Sequence, residues 1–125
     1  MRYLCLVYGT EDSLPVMQKP LSRAEVDVLT QDSLAYNDVL RTSGHFILAH
    51  ALQSVRTATT VRVRGGQVLV TDGPFAETKE QLLGFVLIEA KDHDDAVAVA
   101  SKIPLARLGS IEVRSIMVLA RTGQS

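Results

Sequence analysis

The sequence predicts an α+β domain in which four strands and two helices follow the order βαββαβ, with a β-hairpin inserted between the second and third of those strands. Three observations carry that reading. Short apolar runs are bounded by Gly, Pro and Asp; two segments repeat their apolar residues at helical spacing behind a capping signature; and two alternating runs flank Gly65-Gly66. The 125 residues fit a single domain over residues 1–125, long enough to bury a core without disulfides.

The first strand is Tyr3-Leu4-Cys5-Leu6-Val7-Tyr8, apolar throughout and stopped by Gly9, so burial on both faces is expected. Residues 9–21, with Pro15 and Pro20, read as a loop. Ser22-Arg23-Ala24-Glu25 has the form of a capping box and opens a helix from about Arg23 to Ser43, with Val26, Leu29, Tyr36 and Leu40 on one face and Gly44 as its stop. Residues 46–52 make the second strand. Residues 60–64 and 68–70 make the hairpin, within an insertion of about 57–71 whose alternation leaves Arg62 and Arg64 on a solvated face. Asp72-Gly73-Pro74 breaks the hairpin, and residues 78–82 suit one helical turn. Residues 84–90 form the third strand. Asp92 caps the second helix, whose Ala96, Val99, Ala100 and Ile103 recur at i, i+3, i+4 and i+7 before Pro104 ends it. Residues 110–119 form the last strand, and residues 121–125 are a polar, frayed tail. With the hairpin set aside, this is the split β-α-β, or ferredoxin-like, arrangement.

Two helices on one face of such a sheet leave the other face bare. Leu4 and Leu6 oppose Cys5 and Val7, and Val86 and Ile88 oppose Phe85 and Leu87, so both faces are apolar. A patch of that size predicts a homodimer with two-fold symmetry.

Composition narrows the partners. The formal charge is −1, from 13 basic and 14 acidic residues, which excludes a general attraction to nucleic acid or to anionic membrane surfaces. No run approaches the ~20 apolar residues of a spanning helix, and residues 2–8 are too short for a leader's apolar core, so no leader is expected. The lone Cys5 rules out an intrachain disulfide, and a cytoplasmic location is expected.

The most distinctive stretch is Thr71-Asp72-Gly73-Pro74-Phe75-Ala76-Glu77-Thr78-Lys79-Glu80. Together with Arg2-Tyr3, Thr57-Ala58-Thr59-Thr60-Val61-Arg62, Gly84-Phe85, Ile103-Pro104 and Gly109-Ser110-Ile111-Glu112-Val113-Arg114, it resembles the YCII-related family, in the branch with the Asp-Gly-Pro-Phe motif. The resemblance implies a ferredoxin-like fold, a dimeric α/β-barrel, an enzyme-like role and an association with sigma factors of the extracytoplasmic-function type. It also implies an acid–base pair made by a His on the first helix and an Asp before the Pro that follows the second. Those places hold Ser33 and Ile103 here, neither of which shuttles a proton near neutral pH.

Each candidate residue has a structural and a functional reading. Asp72 either accepts backbone amides in an Asx-turn or is a base held at a pocket mouth. Glu77 is either a solvated charge, like Lys79 and Glu80, or faces Asp72, where paired carboxylates raise one pKa or bind a cation. His50 is a core histidine bonded to a neighbour or the imidazole of a polar pocket. Ser33 shares the inward helix face and either bonds back to a carbonyl or lines a cavity. Arg114 pairs with Glu112 or across strands, or holds an anionic ligand. Asp92-His93-Asp94-Asp95 reads as first-turn acids complementing a helix dipole, so no metal site and no cofactor is expected. These residues give a small-molecule-binding or enzyme-like domain with Asp72 and His50 as catalytic candidates and Ser33, Glu77 and Arg114 as ligand-binding ones. A non-catalytic interaction module docking a sigma factor through the hairpin, and a monooxygenase-like barrel without cofactor, are the alternatives.

Overall fold

A computed structural model describes residues 1–10, 13–14 and 19–121. Its main sheet is antiparallel and four-stranded. The strands are β1 (Arg2–Gly9), β4 (Phe46–Ala51), β7 (Gln81–Glu89) and β8 (Ser110–Ser115), in the spatial order β4-β7-β1-β8. Two short strands, β2 (Ser13–Leu14) and β3 (Lys19–Pro20), pair with each other where the sequence predicts a loop, and residues 11–12 and 15–18 of that loop lie outside the described residues. The helices are α1 (Arg23–Ser43) and α2 (His93–Ser101). A hairpin of β5 (Thr59–Arg64) and β6 (Gln67–Asp72) stands between β4 and β7 in the chain. The chain is thus α+β with antiparallel sheets and the βαββαβ order of a ferredoxin-like fold.

Local chemistry sets the element ends. The capping box forms as the sequence predicts: the Ser22 hydroxyl accepts from the Glu25 amide at 3.1 Å, and the Glu25 carboxylate accepts from the Ser22 amide at 3.1 Å. Asp92 caps α2 by accepting from the Asp95 amide at 2.8 Å. Gly65 and Gly66 both take positive φ, 57° and 77°, which suits a primed two-residue turn matching the right-handed strand twist.

Alternation in β1 decides which face is the core. Tyr3, Cys5 and Val7 are buried, while Leu4, Leu6 and Tyr8 are half-buried. The expected burial on both faces therefore holds for one face of this chain and not for the other. The buried side packs on Val86 and Ile88 of β7, on Leu40 of α1, and on Ala96, Val99 and Ala100 of α2. α1 does not lie flat along its length. Leu40 is buried and Tyr36 half-buried, but Val26 is 45% exposed, so the N-terminal half stands off the sheet.

Two other expectations change. Residues 78–82 form no helical turn, because Gln81 and Leu82 already pair with Gly9 and Tyr8 as the start of β7. The last strand ends at Ser115 and not at residue 119. Ser115 faces Tyr3, and after the Ile116 amide donates to Arg2 at 2.9 Å, β1 has no further residue to pair with. Of the expected tail, residues 122–125 lie outside the described residues.

Candidate functional site

The lift of α1 leaves a cleft of about 410 Å³ beneath its N-terminal half. Val7, Ala49, Ala51, Gly84 and Val86 of the sheet form one wall, and Ile103, Pro104 and Leu105 close one side. From α1 come Val26, Leu29, Thr30, Ser33, Tyr36 and Asn37, which share one face of the helix. The volume falls in the range of small-molecule sites, and the pattern of apolar walls with a few polar groups is theirs too.

The polar groups divide into spent and free. The Thr30 hydroxyl donates to the Val26 carbonyl at 2.9 Å, and the Tyr36 hydroxyl donates to the Val99 carbonyl at 2.6 Å, tying α1 to α2. Ser33 and Asn37 lie one turn apart and are half-buried, and among the described residues neither side chain has a hydrogen-bond partner. Burial, and to a lesser degree the neighbouring Cys5, raises the Tyr36 pKa. Burial pushes the Cys5 thiol up to about 11. Neither group ionises near neutral pH, so Tyr36 supplies the cleft with a hydrogen bond and not a proton.

The sequence candidates scatter around this cleft. Ser33 faces it. His50 does not sit in the core. A register shift between Phe46 and Leu48 changes the strand's parity, so Phe46 lies opposite Ile88 while His50 lies opposite Phe85. His50 is therefore exposed on the open face, edge-to-face with Phe85 at 5.9 Å, and it is also among the residues that line the cleft. Arg114 is on the same open face but on β8, the far edge strand, three strand spacings away, or roughly 14 Å. It makes no ion pair with Glu112 among the described residues.

Asp72 ends β6 opposite Thr59, exposed, and its carboxylate makes no hydrogen bond among the described residues, so the Asx-turn does not form there. The turn is held by its neighbour: the Gly73 amide donates to the Ala58 carbonyl at 2.7 Å, and the Gly73 carbonyl accepts from the Thr60 hydroxyl at 2.8 Å. Gly73 has φ 98°, which a side chain opposes by about 1–2 kcal/mol, so Gly73→Ala is expected to destabilise the chain by that amount in urea unfolding. Glu77 is exposed and has no partner among the described residues, whereas Glu80 accepts from the Ser110 hydroxyl at 2.7 Å. The structure does not gather Asp72, His50 and Arg114 into one site.

Sequence reasoning missed two groups. Asn37 was findable, since it follows Ser33 by one turn on the inward face. The second is a chain of three residues for which no local signal exists. The Ser43 hydroxyl is 2.7 Å from Nδ1 of His45, whose Nε2 is 3.1 Å from Asp95. The residue types are those of a nucleophile, base and acid. The placement opposes that chemistry. Ser43 is the last residue of α1, where carbonyls point outward and the dipole repels an oxyanion. The nearby amides of Gly44 and His45 are already donated to carbonyls of that last turn.

The trio acts as a tie between the end of α1 and the start of α2. The Lys91 amide and then the His45 ring hold the Asp95 carboxyl below the usual carboxylate range. Its contribution to stability is therefore complete above the unfolded pKa near 4 and is lost as pH falls through the lower folded value. Asp95→Asn is expected to flatten the acid side of a plot of urea midpoint against pH.

The chain is similar to known proteins in sequence. The family model described as "YCII-related domain" matches residues 1–120. An uncharacterized protein of Rhizobium meliloti (strain 1021) is 35% identical over 118 residues, which is 93% of this chain and 92% of that protein. Ser33 and Ile103, at the two places where the resemblance implies an acid–base pair, both line the cleft. By the extent of the match and the identity to its relative, the chain belongs to the YCII-related domain family.

Proposed function

We propose that the protein binds a small, uncharged, mainly apolar molecule in the cleft under α1, and that the cleft does not transfer protons. The observation that carries this reading is the pairing of apolar walls with two unpartnered polar side chains, Ser33 and Asn37, in a space whose described lining holds no Asp, Glu, Lys or Arg. An amide or hydroxyl on the ligand satisfies Ser33 and Asn37, while its hydrocarbon part replaces water against Leu29, Ala49 and Val86. A charged ligand finds no counter-ion there and loses its hydration without return. Calorimetry with 2-naphthamide and 2-naphthoate tests this. The amide is expected to bind at least tenfold tighter, a difference of about 1.4 kcal/mol or more, and equal or reversed affinities contradict the reading.

A second reading, a protein-interaction module, is favoured by the hairpin, whose strand residues are exposed apart from Thr60. The proposal extends to the Asp-Gly-Pro-Phe branch of the family, on the strength of Asp72-Gly73-Pro74-Phe75, and to a sigma factor as the protein such a module serves. It also includes a homodimer of the α/β-barrel kind, because Leu4, Leu6, Phe85 and Leu87 share the open sheet face and are only half-buried in the single chain.

A further inference from the structure

We infer that the valine face of the β5–β6 hairpin is buried by a second copy of this chain. The register places Val61 opposite Val70 and Val63 opposite Val68, four valines on one face, each 58–66% exposed, with Thr59 opposite Asp72 at the base of that face. The other face carries Thr60 with Thr71, Arg62 with Leu69, and Arg64 with Gln67. One face is thus built for contact and the other for water. A lone two-stranded ribbon is marginal in water, and β-branched residues stabilise strands chiefly when packed. Here the ribbon touches its own chain mainly at its base, through Gly73 with Ala58 and Thr60.

Area argues for the occupant. At about 60–120 Å² of apolar surface per fully exposed valine, the four contribute roughly 150–300 Å², well below the ~800 Å² per partner of a stable interface. The open sheet face, four strands about 4.8 Å apart and some six residues long, adds roughly 400 Å². The two surfaces are near in the chain, since residues 52–58 lead from β4 to the hairpin and residues 73–80 from it to β7, and these strands carry Leu48, Phe85 and Leu87 on that face. Neither is sufficient alone, and together they approach what a dimer needs. A twin offers the same apolar surfaces in return, so a two-fold arrangement covers both copies at once. The inference rests on the homodimer reading above and assigns the hairpin to its interface.

The test is sedimentation over a dilution series of the wild type, of Val61→Glu/Val70→Glu and of Arg62→Glu/Arg64→Glu. The wild type is expected to be dimeric, the valine variant to associate about a hundredfold more weakly, and the arginine variant to change little. A monomeric wild type overturns the homodimer reading and the inference with it. A dimeric wild type whose valine variant associates as tightly overturns the inference alone. Should the valine variant misfold, hydrogen exchange of the wild type decides: the amides of residues 61–70 are expected to lose protection on dilution, and protection independent of concentration contradicts the interface.

Discussion

Ile88→Ala is expected to lower the unfolding free energy by about 2–5 kcal/mol, with an unchanged denaturant slope. Ile88 has no solvent exposure and lies between Tyr3 of β1 and Phe46 of β4, directly under the helices. Removing its methyl and methylene groups forfeits their burial and leaves a void that the two neighbouring strands, both hydrogen-bonded to β7, are poorly placed to close. A loss below about 1 kcal/mol in urea unfolding would mean that the sheet relaxes around the void. It would contradict the rigid wall on which the adjoining cleft depends.

Filling the cleft is expected to act in the opposite direction. Ser33→Phe places an aromatic ring into space that apolar side chains already line, and exchanges a hydroxyl without a partner for buried hydrocarbon. The melting temperature is expected to rise, with a gain of about 1 kcal/mol, while 2-naphthamide binding is lost. The two effects must appear together. A variant that is less stable and binds normally would show that Ser33 does not face usable space. Together the two substitutions separate what holds the fold from what the fold leaves empty: one residue is needed where it is large, the other where it is small.

The elements that depend on local chemistry were legible. Ser22 with Glu25, Asp92 with Asp95, and Gly65-Gly66 each act within a few residues, so their spacing in the sequence is their spacing in the structure. The βαββαβ succession of elements also followed from counting strands and helices along the chain. What could not be read depended on register. The shift in β4 between Phe46 and Leu48 moves His50 off the core face, and nothing in Phe46-Ile47-Leu48-Ala49-His50 announces it. The end of β8 was set by where β1 stops offering partners, a property of another strand.

Of the candidate residues, Ser33 lies on the cleft and others lie elsewhere, for related reasons. Ser33 was placed by helical periodicity, which survives folding intact. Asp72, Glu77 and Arg114 drew attention as ionisable groups near apolar runs, yet they lie on an exposed hairpin, an exposed loop and an exposed edge strand. The cleft itself arises from α1 lifting away at Val26 while Leu40 stays packed, and a helix with one continuous apolar face gives no sign of such a tilt. His45 and Asp95 are fifty residues apart and meet through the packing of two helix ends.

The most direct test of the account is to locate bound 2-naphthamide by titrating it into the isotope-labelled protein and following each backbone amide. Shifts concentrated at Thr30, Ser33, Asn37, Ala49 and Val86 are the predicted result. Shifts centred on the open sheet face around His50 and Arg114, or on the hairpin around Asp72, would contradict it.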